Sequence, residues 1–159
     1  MTRNDKKLTP DFRKNYFQII NNSLKTKIFK NFFVKDKKKK IDIVNNGRFA
    51  CAWYASAVLL LSGLIDKTRL TVNSLEKDLL RNNWREVKKI KKGAILIWKE
   101  KENYGASNRH IGFYIGNNKA VSNNSQKGYP IIHHYTFGKD KNGPKRKIEK
   151  IYWHQKLDS

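Results

Sequence analysis

The chain reads as an α+β domain, and three observations predict it. Apolar residues recur at helical spacing through 11–33, short β-branched and aromatic runs occupy the chain from residue 93 onward, and Gly116-Asn117-Asn118 between two of those runs is a hairpin turn signal. Helices first and a strand meander afterwards imply N-terminal helices packed on a small antiparallel sheet of about four to six strands. With 159 residues the chain can bury one core and is too short for two ordinary ones.

Phe12, Tyr16, Phe17, Ile19, Ile20, Leu24, Ile28, Phe29, Phe32 and Phe33 are spaced as a helix face, with basic residues between them, which predicts one or two amphipathic helices packed on the core. The run Lys35-Asp36-Lys37-Lys38-Lys39-Lys40 is too repulsive to pack and reads as an exposed loop. Residues 1–40 are therefore expected to form a basic helical extension ending in a lysine-rich loop, and 41–159 the domain proper. The apolar stretch from Phe49 to Ile65 reads as the central helix; at seventeen residues, interrupted by Ser56, Ser62 and Gly63, it is at the short limit for a membrane span, so none is expected. Thr71 to Leu80 reads as a capped helix with Thr71 or Asn73 as N-cap, ending near Asn82-Asn83. Strands are expected at Gly93 to Trp98, His110 to Ile115, Lys119 to Ser122, Ile131 to Tyr135 and Ile148 to Trp153.

Lys and Arg number 35 against 13 Asp and Glu, a net charge of +22, which predicts adhesion to polyanions: nucleic acid through charge only, an anionic lipid surface, or the acidic polymers of a bacterial wall. The first ten residues lack the apolar core of a secretory signal, so synthesis in the cytoplasm is expected, with release or injection as the route to any wall. A single cysteine excludes an internal disulfide and a cysteine-based metal cluster. His133-His134 are neighbours on a strand, point to opposite faces and cannot jointly hold an ion. The chain has no phosphate-cradling glycine loop and no zinc-finger spacing, so no metal or cofactor is expected, and the chain is expected to act as a monomer.

That cysteine, Cys51, opens the central helix, and His110 opens a strand fifty-nine residues later. A thiol at a helix N-terminus meets the positive end of the macrodipole and free backbone N–H groups, which predicts a lowered pKa. Cys51 is then the expected nucleophile and His110 the expected base.

Three pieces resemble the papain-like cell-wall hydrolases, namely the CHAP (cysteine, histidine-dependent amidohydrolase/peptidase) domains and their NlpC-type relatives. Cys51-Ala52-Trp53-Tyr54 is similar to the helix start of CHAP domains, Lys92 to Trp98 to their Gly-Ala strand, and His110-Ile111-Gly112-Phe113-Tyr114-Ile115-Gly116-Asn117 to the histidine strand of NlpC-type enzymes. The order and spacing fit over residues 45–153. The resemblance implies a papain-like fold and hydrolysis of a peptidoglycan amide, either between peptide residues or between sugar and peptide.

A third polar residue is expected to orient the imidazole. Counting as in NlpC-type enzymes, its slot falls on Ser122, with Asn123 beside it and Asn124 following; Asn123 is preferred because an amide carbonyl accepts from an imidazole N–H better than a hydroxyl does. The backbone N–H of Cys51 is expected in the oxyanion hole, with Asn45 or Asn46 as side-chain partner. Trp53, Tyr54, Ser122 and His133 are the expected cleft residues. The other readings are a cytoplasmic cysteine peptidase or acyltransferase on the same scaffold, or a polyanion-binding protein in which the lysines do the work.

Overall fold

The computed structural model describes residues 7–158; residues 1–6 and 159 lie outside the described residues, and with them part of the segment on which the absent leader was read. Helix α1 (Phe12–Ser23) starts at Asp11, whose side chain accepts the Lys14 N–H at 2.8 Å. Its buried residues Tyr16, Ile20 and Ser23 lie at i, i+4 and i+7. The Tyr16 hydroxyl donates to Gly93 O at 3.0 Å and its ring stands edge-on to Phe113, while the Ser23 and Tyr54 hydroxyls meet at 2.8 Å. Helix α1 is thus part of the core.

Of the one or two helices expected over 11–33, one forms. Lys25 takes a φ of +61° and its N–H donates to Pro130 O at 2.9 Å, which turns the chain away. The lysine run is exposed, as expected, but it forms the tip of a hairpin rather than a loop: β1 (Phe33–Asp36) pairs with β2 (Lys39–Asp42), the turn taken by Lys37 at φ +52°. Antiparallel pairing satisfies the backbone while every lysine head stays in water. A boundary at 40/41 would cut β2.

Helix α2 (Cys51–Leu61) is the central helix, with Ala52 and Tyr54 to Leu59 buried. It is shorter than the apolar stretch because Gly63, at φ +69°, turns the chain after Ser62, and Leu64 N–H closes on Leu59 O. Among the described residues no helix is long and apolar enough to cross a membrane. Helix α3 (Val72–Arg81) begins where expected, Thr71 Oγ1 accepting the Ser74 N–H at 3.2 Å, and its C-cap is Asn82.

The sheet has six antiparallel strands in the order β3 (Arg85–Glu86), β10 (Ile148–Trp153), β4 (Ile95–Asn103), β5 (Ala106–Gly116), β6 (Lys119–Asn124), β7 (Tyr129–His134). A short separate ribbon joins β8 (Lys139–Asp140) and β9 (Gly143–Pro144). Asn117 and Asn118, at φ +51° and +57°, make the predicted β5–β6 turn. Alternation divides the sheet faces: Ile95, Ile97, Ile111, Phe113 and Val121 join α1, α2 and α3 in the main core, while Leu96, Trp98 and Ala120 form a second cluster on the opposite face. Among the described residues the domain is α+β, with three α-helices and a six-stranded antiparallel sheet.

Two irregularities open the middle of this sheet. The β4–β5 register shifts between Trp98 and Lys101, and β5–β6 pairing is recorded only between Phe113↔Val121 and the turn. Beyond that pair the N-terminus of α2 meets both strands.

Candidate functional site

Cys51 is the first residue of α2, and no side chain caps the helix at Ala50. The segment leading into it is held from two sides. Asp42 accepts the N–H groups of Phe32 at 2.9 Å and Asn46 at 2.8 Å, and Asn123 Nδ2 donates to Gly47 O at 2.7 Å. Gly47 is obligatory: at φ +84°, a Cβ there would lie 2.6 Å from Gly128 Cα.

The half-buried thiol departs from its expected acidity. Burial pushes it above its ordinary value, and this outweighs the N–H groups of Ile111, Ala52 and Cys51 and the charge of Arg146, all of which favour thiolate. The Ile111 N–H that favours the thiolate belongs to the residue next to His110 on β5.

The imidazole of His110 is oriented by a chain of hydrogen bonds whose direction can be worked out. His133 Nδ1 lies 2.7 Å from His134 O; a carbonyl only accepts, so Nδ1 carries the proton. Burial pushes both His110 and His133 below their ordinary pKa, so both are neutral near pH 7 and His133 Nε2 is an acceptor. The Ser122 hydroxyl, 2.8 Å from that Nε2, donates to it. Ser122 Oγ then accepts from His110 Nε2–H, also at 2.8 Å. His110 is left with its lone pair on Nδ1.

The partner of His110 is therefore Ser122, not Asn123. Alternation along β6 decides it: Ser122 shares the Ala120 face with His133 and Trp98, whereas Asn123 turns the other way to Gly47. Acceptor strength, which favoured Asn123, has no say once the register is set. Asn123 instead holds the approach to Cys51; its Oδ1 is buried and has no partner among the described residues. Asn124 Oδ1 accepts the N–H groups of Gln126 and Lys127 in a turn.

Rings fix the imidazole plane. Trp98 lies 5.4 Å from His110 and donates its Nε1–H to Tyr135 O, and Phe137 stacks on His133 at 4.1 Å while standing edge-on to His110.

Cys51, His110 and Asn123 line one cavity of about 770 Å³, together with Arg48, Arg109, Phe137 and Arg146. Of the other expected residues, Asn45 and Asn46 are exposed turn residues at φ +49° and +56° and do not reach this wall. Trp53 packs edge-on to Phe29 and Phe32, Tyr54 is buried against Ser23, and Ser122 and His133 lie behind His110; none of the four lines the cavity. Phe137 and Arg146 were not singled out from the sequence. Only an arginine among many lysines, and an aromatic before Gly138, could have marked them.

Arg109, next to His110, is engaged at all three guanidinium nitrogens: it donates to Glu76 at 2.7 Å, to Asn73 at 3.0 Å and to Glu149 at 3.1 and 3.2 Å. Burial alone would push the Glu76 carboxyl up, but hydrogen bonds from Arg109, Lys150 and Tyr152 hold it down at about 2. This network ties β5 to α3 and β10 beside His110. No family model matches the chain, and no curated protein matches it.

Proposed function

We propose that this chain is a papain-like, cysteine-dependent amide hydrolase similar to CHAP and NlpC-type domains, acting on a peptidoglycan amide as an endopeptidase or as an amidase at the sugar-to-peptide bond. The observation that carries the reading is the His110–Ser122–His133 chain, which leaves the His110 lone pair on Nδ1, in a residue that lines the same cavity as Cys51.

In this reading His110 Nδ1 takes the Cys51 proton as Sγ attacks the carbonyl carbon. The backbone N–H of Cys51 supports the oxyanion. The His110 imidazolium returns its proton to the leaving amine, and water, deprotonated by His110, then cleaves the thioester to release the acid and the thiol. The net charge of +22 suits an anionic wall polymer.

The test is incubation of the chain with peptidoglycan sacculi, reading new amino groups against new reducing ends. Amino groups without reducing ends are expected, abolished in Cys51→Ser and His110→Ala. Full activity in Cys51→Ala, or reducing ends alone, would overturn the reading.

A further inference from the structure

Arg146 is a half-buried cation of the cavity wall; Glu100 and Glu102 also line the cavity, and among the described residues neither forms an ion pair with it. It precedes β10, its own N–H donates to Thr136 O at 3.0 Å, and its guanidinium passes over the ring of Phe137 at 5.9 Å. Nε donates to Lys99 O at 3.2 Å and Nη2 to Asn108 O at 2.8 Å. Both carbonyls lie at the bulge between Trp98 and Lys101, where the β4–β5 ladder lapses and releases them.

These contacts use two of the five N–H donors of an arginine. They are neutral acceptors, so they orient the fork without cancelling its charge. Among the described residues Arg146 has no carboxylate partner, whereas Arg109 on the same wall is paired with both Glu76 and Glu149. Arg48, also on the wall, is exposed and lies over Tyr104 at 4.5 Å. An oriented, half-buried guanidinium without an anion, on the wall that holds a nucleophile and a base, is built to receive one.

We propose that Arg146 is a substrate-binding residue that takes a carboxylate of the substrate beside the scissile amide. The proposal rests on the amide-hydrolase reading and adds the substrate class: peptides carrying a free carboxylate next to the bond that is cut. The fork geometry favours a planar carboxylate held by two N–H groups over a point anion. Amidating that carboxylate would remove the charge and leave the amide bond itself unchanged.

Alkylation of Cys51 reads this without knowledge of the natural substrate. Iodoacetate and iodoacetamide deliver the same carbon to the sulfur, and the first carries a carboxylate. Arg146→Gln is expected to lower the iodoacetate to iodoacetamide rate ratio about tenfold, the loss of roughly one charge-assisted hydrogen bond. Arg146→Lys keeps the charge without the fork and is expected to fall between. An equal fall in both rates would mean that Arg146 serves only the thiolate, and would overturn the proposal.

Acetate on the unaltered chain provides a measurement that needs no folded variant. It is expected to slow iodoacetamide saturably while chloride at equal ionic strength does not, and equal effects of the two salts would count against the proposal. Titration of Cys51→Ala with N-acetylglycine, followed by the Arg146 Nε–H signal in NMR, separates the two readings. A saturable shift sustains the carboxylate site even where native Cys51 proves inert and the hydrolase reading fails; no shift overturns the site even where Cys51 is reactive.

Discussion

Ser122→Ala removes one hydroxyl and strands two imidazole nitrogens. His110 Nε2–H loses its acceptor and His133 Nε2 its donor, each at 2.8 Å from the same oxygen. Ser122 is 1 % exposed, so no water replaces the hydroxyl at that spot without new space being made. At roughly 1–3 kcal/mol for each buried polar group left unpaired, the substitution costs about 2–6 kcal/mol, a large part of a typical domain's stability. The double variant Ser122→Ala/His133→Phe removes the second orphan and puts a ring of similar shape against Phe137, which already stacks there at 4.1 Å. It is expected to recover about 1–3 kcal/mol in urea denaturation and no hydrolysis, because His110 still lacks the acceptor that fixes its tautomer. Nitrogen-15 NMR of the ring reads that tautomer directly. A Ser122→Ala chain within about 0.5 kcal/mol of the parent, with His110 still protonated on Nε2, would refute the chain of hydrogen bonds and its assigned direction.

Gly112→Ala places a Cβ 2.5 Å from Val121 O, 2.7 Å from Ser122 Cβ and 3.2 Å from Trp98 Cη2, so it is expected to cost about 1–3 kcal/mol and push Ser122 off His110. Unchanged activity and melting would show that β6 yields freely there. Glu76→Gln is expected to cost about 2–3 kcal/mol at pH 7, where the carboxylate holds Arg109, Lys150 and Tyr152. Because the folded carboxyl is depressed from 4.5 to about 2, its stabilisation is complete above 4.5 and lost as pH falls toward 2; the gap between parent and variant should close over that range, and a constant gap would refute the assignment. Iodoacetamide alkylation of Cys51 is expected to rise with pH past the ordinary thiol value of 9.0, since burial dominates the sulfur, and a plateau already reached at pH 6 would contradict that.

What could be read from the sequence was what local chemistry decides. The Thr71 cap, the Asn117-Asn118 turn and the central apolar helix each rest on a few consecutive residues, and each forms close to where it was expected. The lysine hairpin was missed because a run of like charges says that side chains avoid packing and nothing about the backbone, which pairs beneath them. Whether one helix or two would form over 11–33 was open in the sequence, and a tertiary bond, Lys25 N–H to Pro130 O across more than a hundred residues, decides for one. Ser122 and Asn123 are adjacent, and only the strand register says which side chain meets His110. Arg146 lies in a stretch of Lys, Gly and Asn with no distinguishing local pattern, and its place on the cavity wall follows from a bulge on another strand.

Burial raises the Cys51 thiol and lowers the His110 imidazole, and the charge of Arg146 acts on both: it favours a thiolate and disfavours an imidazolium. These effects do not combine into a resting ion pair. A thiolate–imidazolium pair would bury two charges beside a third, and the positive member would face Arg146 without an anion between them. The neutral pair is the favoured resting state, with the His110 lone pair already aimed by Ser122 and His133. In the proposed reading, a substrate carboxylate on Arg146 offsets the guanidinium and so removes both the repulsion felt by a protonated His110 and the support given to a Cys51 thiolate. On proton transfer from Cys51 to His110 these two effects act in opposite directions and offset each other. Replacing the proposed carboxylate by a carboxamide is therefore expected chiefly to raise KM, and a fall in kcat with KM unchanged would count against binding through Arg146.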